Sequence, residues 1–246
     1  MSSRVIVITG AGVGLGRALA RRFVADGEQV VLLGRTAAKV EAVAEELGEA
    51  AMAIGCDVAS PESVNAAFAL IAERHGRIDD LINNAAIYEP FTVAEAADEQ
   101  ILNIVNTNLS GAIFCARAAI GLLNAGGHII NVSSESVGMT FPMLNIYAAA
   151  KAGLERFGEG LRHELEPDGI RVTNVRAGQM YEEGKTWDID PGVAGRFMQA
   201  TMAVGLNLRE RPISHYNSVT DVFRNLLDLP PDVQVGTMHI GARRPA

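Results

Sequence analysis

Short runs of apolar and β-branched residues alternate with segments whose apolar positions recur every three or four residues, from the first residues to about residue 176. Val5-Ile6-Val7-Ile8 and Val30-Val31-Leu32-Leu33 are apolar throughout, as strands covered on both faces are. Between such runs, Leu15, Ala18, Leu19 and Phe23, then Val40, Val43, Ala44 and Leu47, follow helical spacing and predict helices with one buried stripe. Strands are expected at residues 4–9, 29–33, 50–55, 79–83, 127–132, 170–176 and 235–240. Strands separated by helices build βαβ units. The pattern therefore predicts an α/β fold, a doubly wound parallel sheet of about seven strands with helices on both faces. Ser60-Pro61-Glu62-Ser63 marks one helix start, with serine as the cap and proline in the first helical position.

Residues 179–215 break the alternation. Trp187, Pro191, several glycines and charged residues such as Glu182, Glu183 and Lys185 mix there without a sustained period. The stretch follows the carboxyl end of the sixth expected strand, the edge where α/β sheets bind ligands, and is read as a substrate-covering segment. Trp187 is described equally well as a substrate contact or as a covering residue over apolar surface. No repeat, low-complexity tract or linker divides the chain, so residues 1–246 are expected to form a single domain.

Composition narrows the function classes. A formal net charge of -8 argues against a general nucleic-acid or anionic-membrane surface. The apolar runs fall short of the roughly 20 residues of a membrane span, and the first strand follows the amino terminus at once, so a cytoplasmic protein is expected. Cys56 and Cys115 have no metal-like spacing and are expected to be reduced, mostly buried thiols. The five histidines lack ligand spacing, and no metal is expected.

The chemistry is concentrated in two places. Thr9-Gly10-Ala11-Gly12-Val13-Gly14-Leu15-Gly16 lies between an expected strand and an expected helix. Glycines there let the backbone turn sharply and approach a pyrophosphate, which then faces the amide groups of the helix amino terminus. Gly10, Gly12, Val13, Gly14, Leu15 and Gly16 are the expected contacts in this Rossmann-type loop; a plain glycine-rich turn is the alternative. At the end of the second strand, where an acidic residue would hold the ribose 2′-hydroxyl of NAD, the chain has Gly34-Arg35-Thr36. A guanidinium binds a 2′-phosphate that a carboxylate would repel. Arg35, with Thr36, therefore points to NADP(H) over NAD, unless Arg35 is merely a solvated residue starting a helix.

The second place is Tyr147-Ala148-Ala149-Ala150-Lys151, thirteen residues beyond Ser134. On a helix, a spacing of four puts the phenol and the ammonium on one face, where the positive charge favours loss of the phenolic proton. Taken with the glycine loop, this points to nicotinamide-dependent redox chemistry.

The glycine loop, Asp57-Val58 after the third strand, Asn83-Asn84-Ala85-Ala86 after the fourth, Asn108, Ser133-Ser134 after the fifth, and Tyr147 with Lys151 stand in the order of one known family. The chain resembles the short-chain dehydrogenase/reductase family over nearly its whole length. The resemblance implies an oxidoreductase moving a hydride between nicotinamide and the carbonyl or secondary alcohol of a small substrate. It implies that Tyr147 is the general acid or base, that Ser134 binds the substrate oxygen, and that Lys151 holds the nicotinamide ribose and lowers the tyrosine pKa. Asn108 would anchor a water linking the lysine to solvent. Asp57 and Val58 would line the adenine, Asn83, Asn84 and Ala85 would pass beside the adenosine ribose, and Met180 would meet the nicotinamide carboxamide. A homo-oligomer, dimer or tetramer, is also implied, through the helices around Asn108 and Tyr147.

The chain departs from the family pattern at Ala86, where glycine is usual, at Ala177, where proline is usual, and in Gly241-Ala242-Arg243-Arg244-Pro245, which lacks the usual glycine-rich ending. Other readings of the scaffold are a nucleotide-binding sensor without turnover, and an epimerase or dehydratase. Retention of Tyr147, Lys151, Ser134 and Asn108 together speaks for the oxidoreductase. Phe91, Phe141, Met139, Met143 and Tyr181 suggest a partly apolar substrate.

Overall fold

The computed structural model describes residues 3–183 and 189–244. In chain order the elements are β1 (Val5–Thr9), α1 (Gly14–Ala25), β2 (Gln29–Gly34), α2 (Ala37–Leu47), β3 (Ala51–Gly55), α3 (Pro61–His75), β4 (Ile78–Asn83), α4 (Asp98–Val105), α5 (Gly111–Ile120), β5 (Leu123–Ser134), α6 (Asn145–Leu165), β6 (Arg171–Ala177), β7 (Met180–Tyr181), α7 (Pro191–Ala203), β8 (Ser214–His215), α8 (Thr220–Leu227) and β9 (Thr237–Ile240). Seven strands form one parallel sheet in the order β3-β2-β1-β4-β5-β6-β9. β1 pairs with β2 on one side and β4 on the other. The strand order reverses there, which opens a crevice at the carboxyl ends of β1 and β4.

Alternation along the strands explains why both faces are covered. Ile6, Ile8, Val30 and Leu32 face α1, α2 and α8 through Leu19, Phe23, Val40, Phe223 and Leu227, all almost wholly buried. Val7, Val31, Leu33 and Leu81 point the other way, against Phe68 and Ile71 of α3, Cys115 of α5 and Leu161 and Leu165 of α6. Each fully buried side chain of this size contributes about 1.5–3 kcal/mol. Both cysteines are free and buried in the second layer. The helix start at residue 60 is as the sequence reads: Ser60 accepts a 3.1 Å hydrogen bond from the Ser63 amide, with Pro61 in the first turn.

Two expectations change. β5 begins at Leu123 instead of 127, because Leu123 pairs with Ile78 ahead of a register shift; Asn124-Ala125-Gly126-Gly127 reads locally as a turn. The irregular 179–215 stretch contains the thirteen-residue helix α7. Its start carries the same kind of signal as residue 60: the Asp190 carboxylate accepts a 3.0 Å bond from the Val193 amide, and Pro191 follows. The two-residue strands β7 and β8 then pair and close the segment on itself. Among the described residues no helix is long and apolar enough to cross a membrane.

Candidate active site

A cleft of about 730 Å³ runs along the carboxyl ends of the strands. Its floor is stitched together by Thr9, whose hydroxyl accepts hydrogen bonds of 2.9 Å from the amides of Asn84 and Ala85. The Asn84 side chain donates back to the Thr9 carbonyl at 2.9 Å. The glycine loop is thereby pressed onto the end of β4. Gly10 has φ +67°, and a Cβ there would lie 2.8 Å from the Ala85 Cα; one at Gly16 would lie 2.5 Å from the Gly10 carbonyl oxygen. Glycine is required at both positions.

The site fits a dinucleotide. Val13 offers the amino terminus of α1 no side-chain cap, and the first turn holds no acidic residue, so its amide groups remain available to an anion. Arg35, Thr36 and Lys39 line the cleft beyond β2. Asp57 uses one carboxylate oxygen to accept the Ala59 amide at 3.0 Å, a turn that fixes the residue at the cleft wall.

At the other end, β5 delivers Ser134 and the first turns of α6 deliver Tyr147 and Lys151, all three lining the cleft. The Lys151 side chain is 1% exposed. Its ammonium donates to the Val132 carbonyl at 2.8 Å and lies 6.0 Å from the centre of the Tyr147 ring. The Ser134 hydroxyl is close enough to the Tyr147 phenol to favour its ionised form. Tyr88 approaches from the β4 side, with its ring 6.0 Å from that of Tyr147. Asn108 sits in a widened helical turn, Asn106–Ser110, between α4 and α5. Its amide nitrogen donates to the carbonyls of Ile104 and Ile87 at 2.9 and 2.8 Å. A side chain that takes up a carbonyl four residues back accounts for such a bulge.

Residues 4–186 match the family model described as short chain dehydrogenase. The chain belongs to the short-chain dehydrogenase/reductase family. It is 36% identical over 183 residues to serine 3-dehydrogenase of Agrobacterium fabrum, covering 74% of each chain. It is 32% identical over 179 residues to an NADP-dependent 3-hydroxy acid dehydrogenase of Salmonella typhimurium, covering 71% of each. The solved alcohol dehydrogenase of the archaeon Thermococcus sibiricus, complexed with 5-hydroxy-NADP, superposes with a TM-score of 0.83 at 25% identity over 100% of both chains. The protein is an oxidoreductase acting between CH–OH and C=O groups. The relatives do not favour a turnover-free sensor, an epimerase or a dehydratase.

In this dehydrogenase the cleft brings together Gly10, Gly12, Val13, Gly14, Leu15, Arg35, Thr36, Asp57, Val58, Asn84, Ala85, Ser134, Tyr147, Lys151 and Met180. Gly16, Asn83 and Asn108 stand behind the wall. Gly16 sits in the tight turn under Gly10. The Asn83 side chain points into the sheet, donating to Asn131 at 3.0 Å, and Asn131 donates in turn to Asn174 at 3.2 Å. Lys39, Tyr88, Glu135, Phe197, Leu208, Arg209 and Tyr216 also line the cleft and were not singled out from the sequence as site residues. For Lys39 a signal existed, since it follows Arg35 by one helical turn. The others come from segments whose pattern says nothing of their direction.

Electrostatics differ from the expectation that Lys151 lowers the phenol's pKa. Burial dominates both groups. It raises Tyr147 above the ordinary phenol range, against the pull of the Ser134 hydrogen bond, and it lowers Lys151 from 10.5 to about 8. At the departure from the family pattern, Ala177 is the last residue of β6 and pairs with both Ser134 and Ile240.

Described residues of the 179–215 stretch are tied to three different parts of the enzyme. Glu182 pairs with Arg17 of α1, Arg196 of α7 with Glu95 at 3.0 Å, and Arg211 with Glu135, the residue after Ser134. Trp187, within the expected 179–215 segment, lies outside the described residues. Among the described residues no group of three His, Cys, Asp or Glu side chains converges as a metal site would require.

Proposed function

We propose that this enzyme is an NADP(H)-dependent reductase or dehydrogenase for a small, partly apolar carbonyl or secondary alcohol, with residues 1–246 acting as one domain and 179–215 covering the substrate. The observation that carries it is the convergence of Ser134, Tyr147 and Lys151 on the apolar end of a cleft whose other end offers cations. NADPH bound there would supply the hydride that the carbonyl carbon takes up. Ser134 holds the substrate oxygen, and Tyr147 gives it a proton; a phenol pushed up by burial stays protonated at neutral pH, as a donor needs. Lys151 would hold the nicotinamide ribose, and Asn108, whose Oδ1 has no partner among the described residues, would support a water serving the lysine.

The preference for NADP(H) rests on Arg35 and Lys39. Residues 34–39 contain no carboxylate, and neither cation forms an ion pair among the described residues. Two guanidinium or ammonium groups beside a 2′-phosphate favour it over a bare hydroxyl by roughly 1.5–3 kcal/mol. The resemblance also supports a homo-oligomer, dimer or tetramer, which light scattering tests directly.

The test is a panel of ketones, aldehydes and alcohols followed at the NADPH absorbance band, with Tyr147→Phe as control. Turnover in the native enzyme, lost in Tyr147→Phe, is the expected result; no turnover with any of them overturns the proposal. Replacing Arg35 and Lys39 together by alanine is expected to lower NADP(H) efficiency at least tenfold relative to NAD(H). An unchanged ratio overturns the cofactor assignment.

A further inference from the structure

The substrate end of the cleft carries a positive charge with no ion-pair partner among the described residues. Its walls are apolar: Phe141 and Leu144 before α6, Phe197 and Met198 of α7, and Leu208. Phe141, Leu144 and Phe197 are buried together, with Leu208 and the Tyr147 ring packed against them. Next along the chain from Leu208 comes Arg209, which also lines the cleft. The lining cations Arg35 and Lys39 belong to the nucleotide end and Lys151 to the buried helix face. Of the two lining acids among the described residues, Asp57 is at the nucleotide end and Glu135 is already paired with Arg211. Arg209 has no carboxylate partner among the described residues.

Its backbone is held in place. The Arg209 amide donates to the Asn207 side chain at 3.2 Å, the Glu210 amide to the Asn207 carbonyl at 3.2 Å, and Arg244 to the Glu210 carbonyl at 2.6 Å. Two residues on, the Arg211 guanidinium donates to Glu135 at 2.9 Å and lies 5.6 Å from the Phe141 ring centre. A loop fixed on both sides carries the exposed residue Arg209 at the edge of an apolar chamber that ends at the reactive hydroxyls. A guanidinium carried on such a held backbone, beside apolar walls, is suited to recognise an anion.

Resting on the oxidoreductase reading above, we infer that the substrate is an amphipathic anion, an oxo acid or its hydroxy-acid counterpart. Its carbonyl meets Ser134 and Tyr147, an apolar segment fills the chamber, and a carboxylate or phosphate at the far end is bound by Arg209. The redox balance is that of the parent reaction: the carbonyl carbon gains the hydride, the oxygen gains the proton, and the anionic group is unchanged.

The test compares, with NADPH, oxoalkanoates of increasing chain length, their methyl esters, and the matching oxoalkyl phosphates, in the native enzyme and in Arg209→Gln and Arg209→Lys. The expected result is a kcat/KM at least tenfold higher for one of the anions than for its neutral counterpart. That ratio falls toward one in Arg209→Gln and is partly restored in Arg209→Lys; the better of the two anions identifies the group. Because the ratio is internal to each variant, a partial loss of folded protein does not disturb it. A native ratio near one, with the neutral ketone turned over, overturns this inference and leaves the oxidoreductase reading standing. An equal loss for ester and acid in Arg209→Gln, with a raised KM for NADPH, assigns the guanidinium to the cofactor phosphates and also overturns it. No turnover of any carbonyl overturns both.

Discussion

The Ser133 hydroxyl donates a 2.6 Å hydrogen bond to the carboxylate of Glu155, joining the neighbour of Ser134 on β5 to the residue one helical turn beyond Lys151 on α6. Arg176 of β6 grips the same carboxylate with two bonds, at 3.0 and 2.6 Å. The relative height of Ser134 against Tyr147 and Lys151 is thereby set by a charged, 6% exposed side chain. Glu155→Ala is expected to lower kcat at least tenfold, while the dissociation constant for NADPH changes little. Stability should fall by about 3 kcal/mol, because Arg176 and Ser133 lose their partner. Glu155→Gln should restore part of kcat, since it keeps an acceptor for Ser133. A kcat that follows only the folded fraction would falsify the positioning role.

Lys151 costs stability in order to be where it is. Its folded-state pKa is depressed from 10.5 to about 8 by burial. Between those values the unfolded chain binds more protons, so stability rises as pH climbs from about 8 to 10.5 and is at its lower level below about 8. Lys151→Met removes the buried ammonium. It should abolish turnover, raise stability at neutral pH by about 2–3 kcal/mol, and flatten that alkaline rise. Chemical denaturation across the range measures all but the first.

Asp80 gives the opposite slope. It is fully buried on β4, and burial raises its carboxyl from 3.8 to about 7 against the pull of Arg4, which donates to it at 3.2 Å. A raised acid contributes stability that is whole below the unfolded pKa and is lost as pH rises through about 7. Subtracting the stability profile of Asp80→Asn from that of the native protein should leave a curve falling between about pH 4 and 7. A flat difference would show that Arg4 holds Asp80 ionised throughout.

Two glycines of α6, two positions apart, should answer the same substitution with opposite signs. A methyl at Gly158 would run into the Asn174 side chain and lie 2.8 Å from the Asn131 amide nitrogen, whereas one at Gly160 would meet nothing within 4 Å. Gly158→Ala should destabilise by about 1–3 kcal/mol. Gly160→Ala should stabilise by about 0.5–1 kcal/mol through helix propensity and a less free unfolded chain. Thermal melts of the two variants settle it.

The contrast between those glycines shows where sequence reasoning stops. Both are glycines in a helical pattern, and only the strands beneath α6 tell them apart. Asn83, Asn131 and Asn174 sit on adjacent strands and are separated by 48 and 43 positions in the chain, so nothing local announces that they form one row. The helix beginning at Asp190-Pro191 was legible by its cap and was obscured by the mixed residues around it. Arg209 and Glu135 stayed invisible for a different reason, since a charged residue in a loop carries no periodicity.

The sequence by itself determined the alternation of strands and helices, the glycines that the first turn requires, and the spacing of Tyr147 and Lys151, because each depends on neighbours within one or two turns of chain. Only the tertiary structure decided that β1 lies between β2 and β4, that Glu135 is neutralised by Arg211, and that Arg209 remains without a described counter-ion at the cleft. Those outcomes depend on which distant segments meet, and burial and Coulomb forces act on spatial neighbours whatever their separation along the chain.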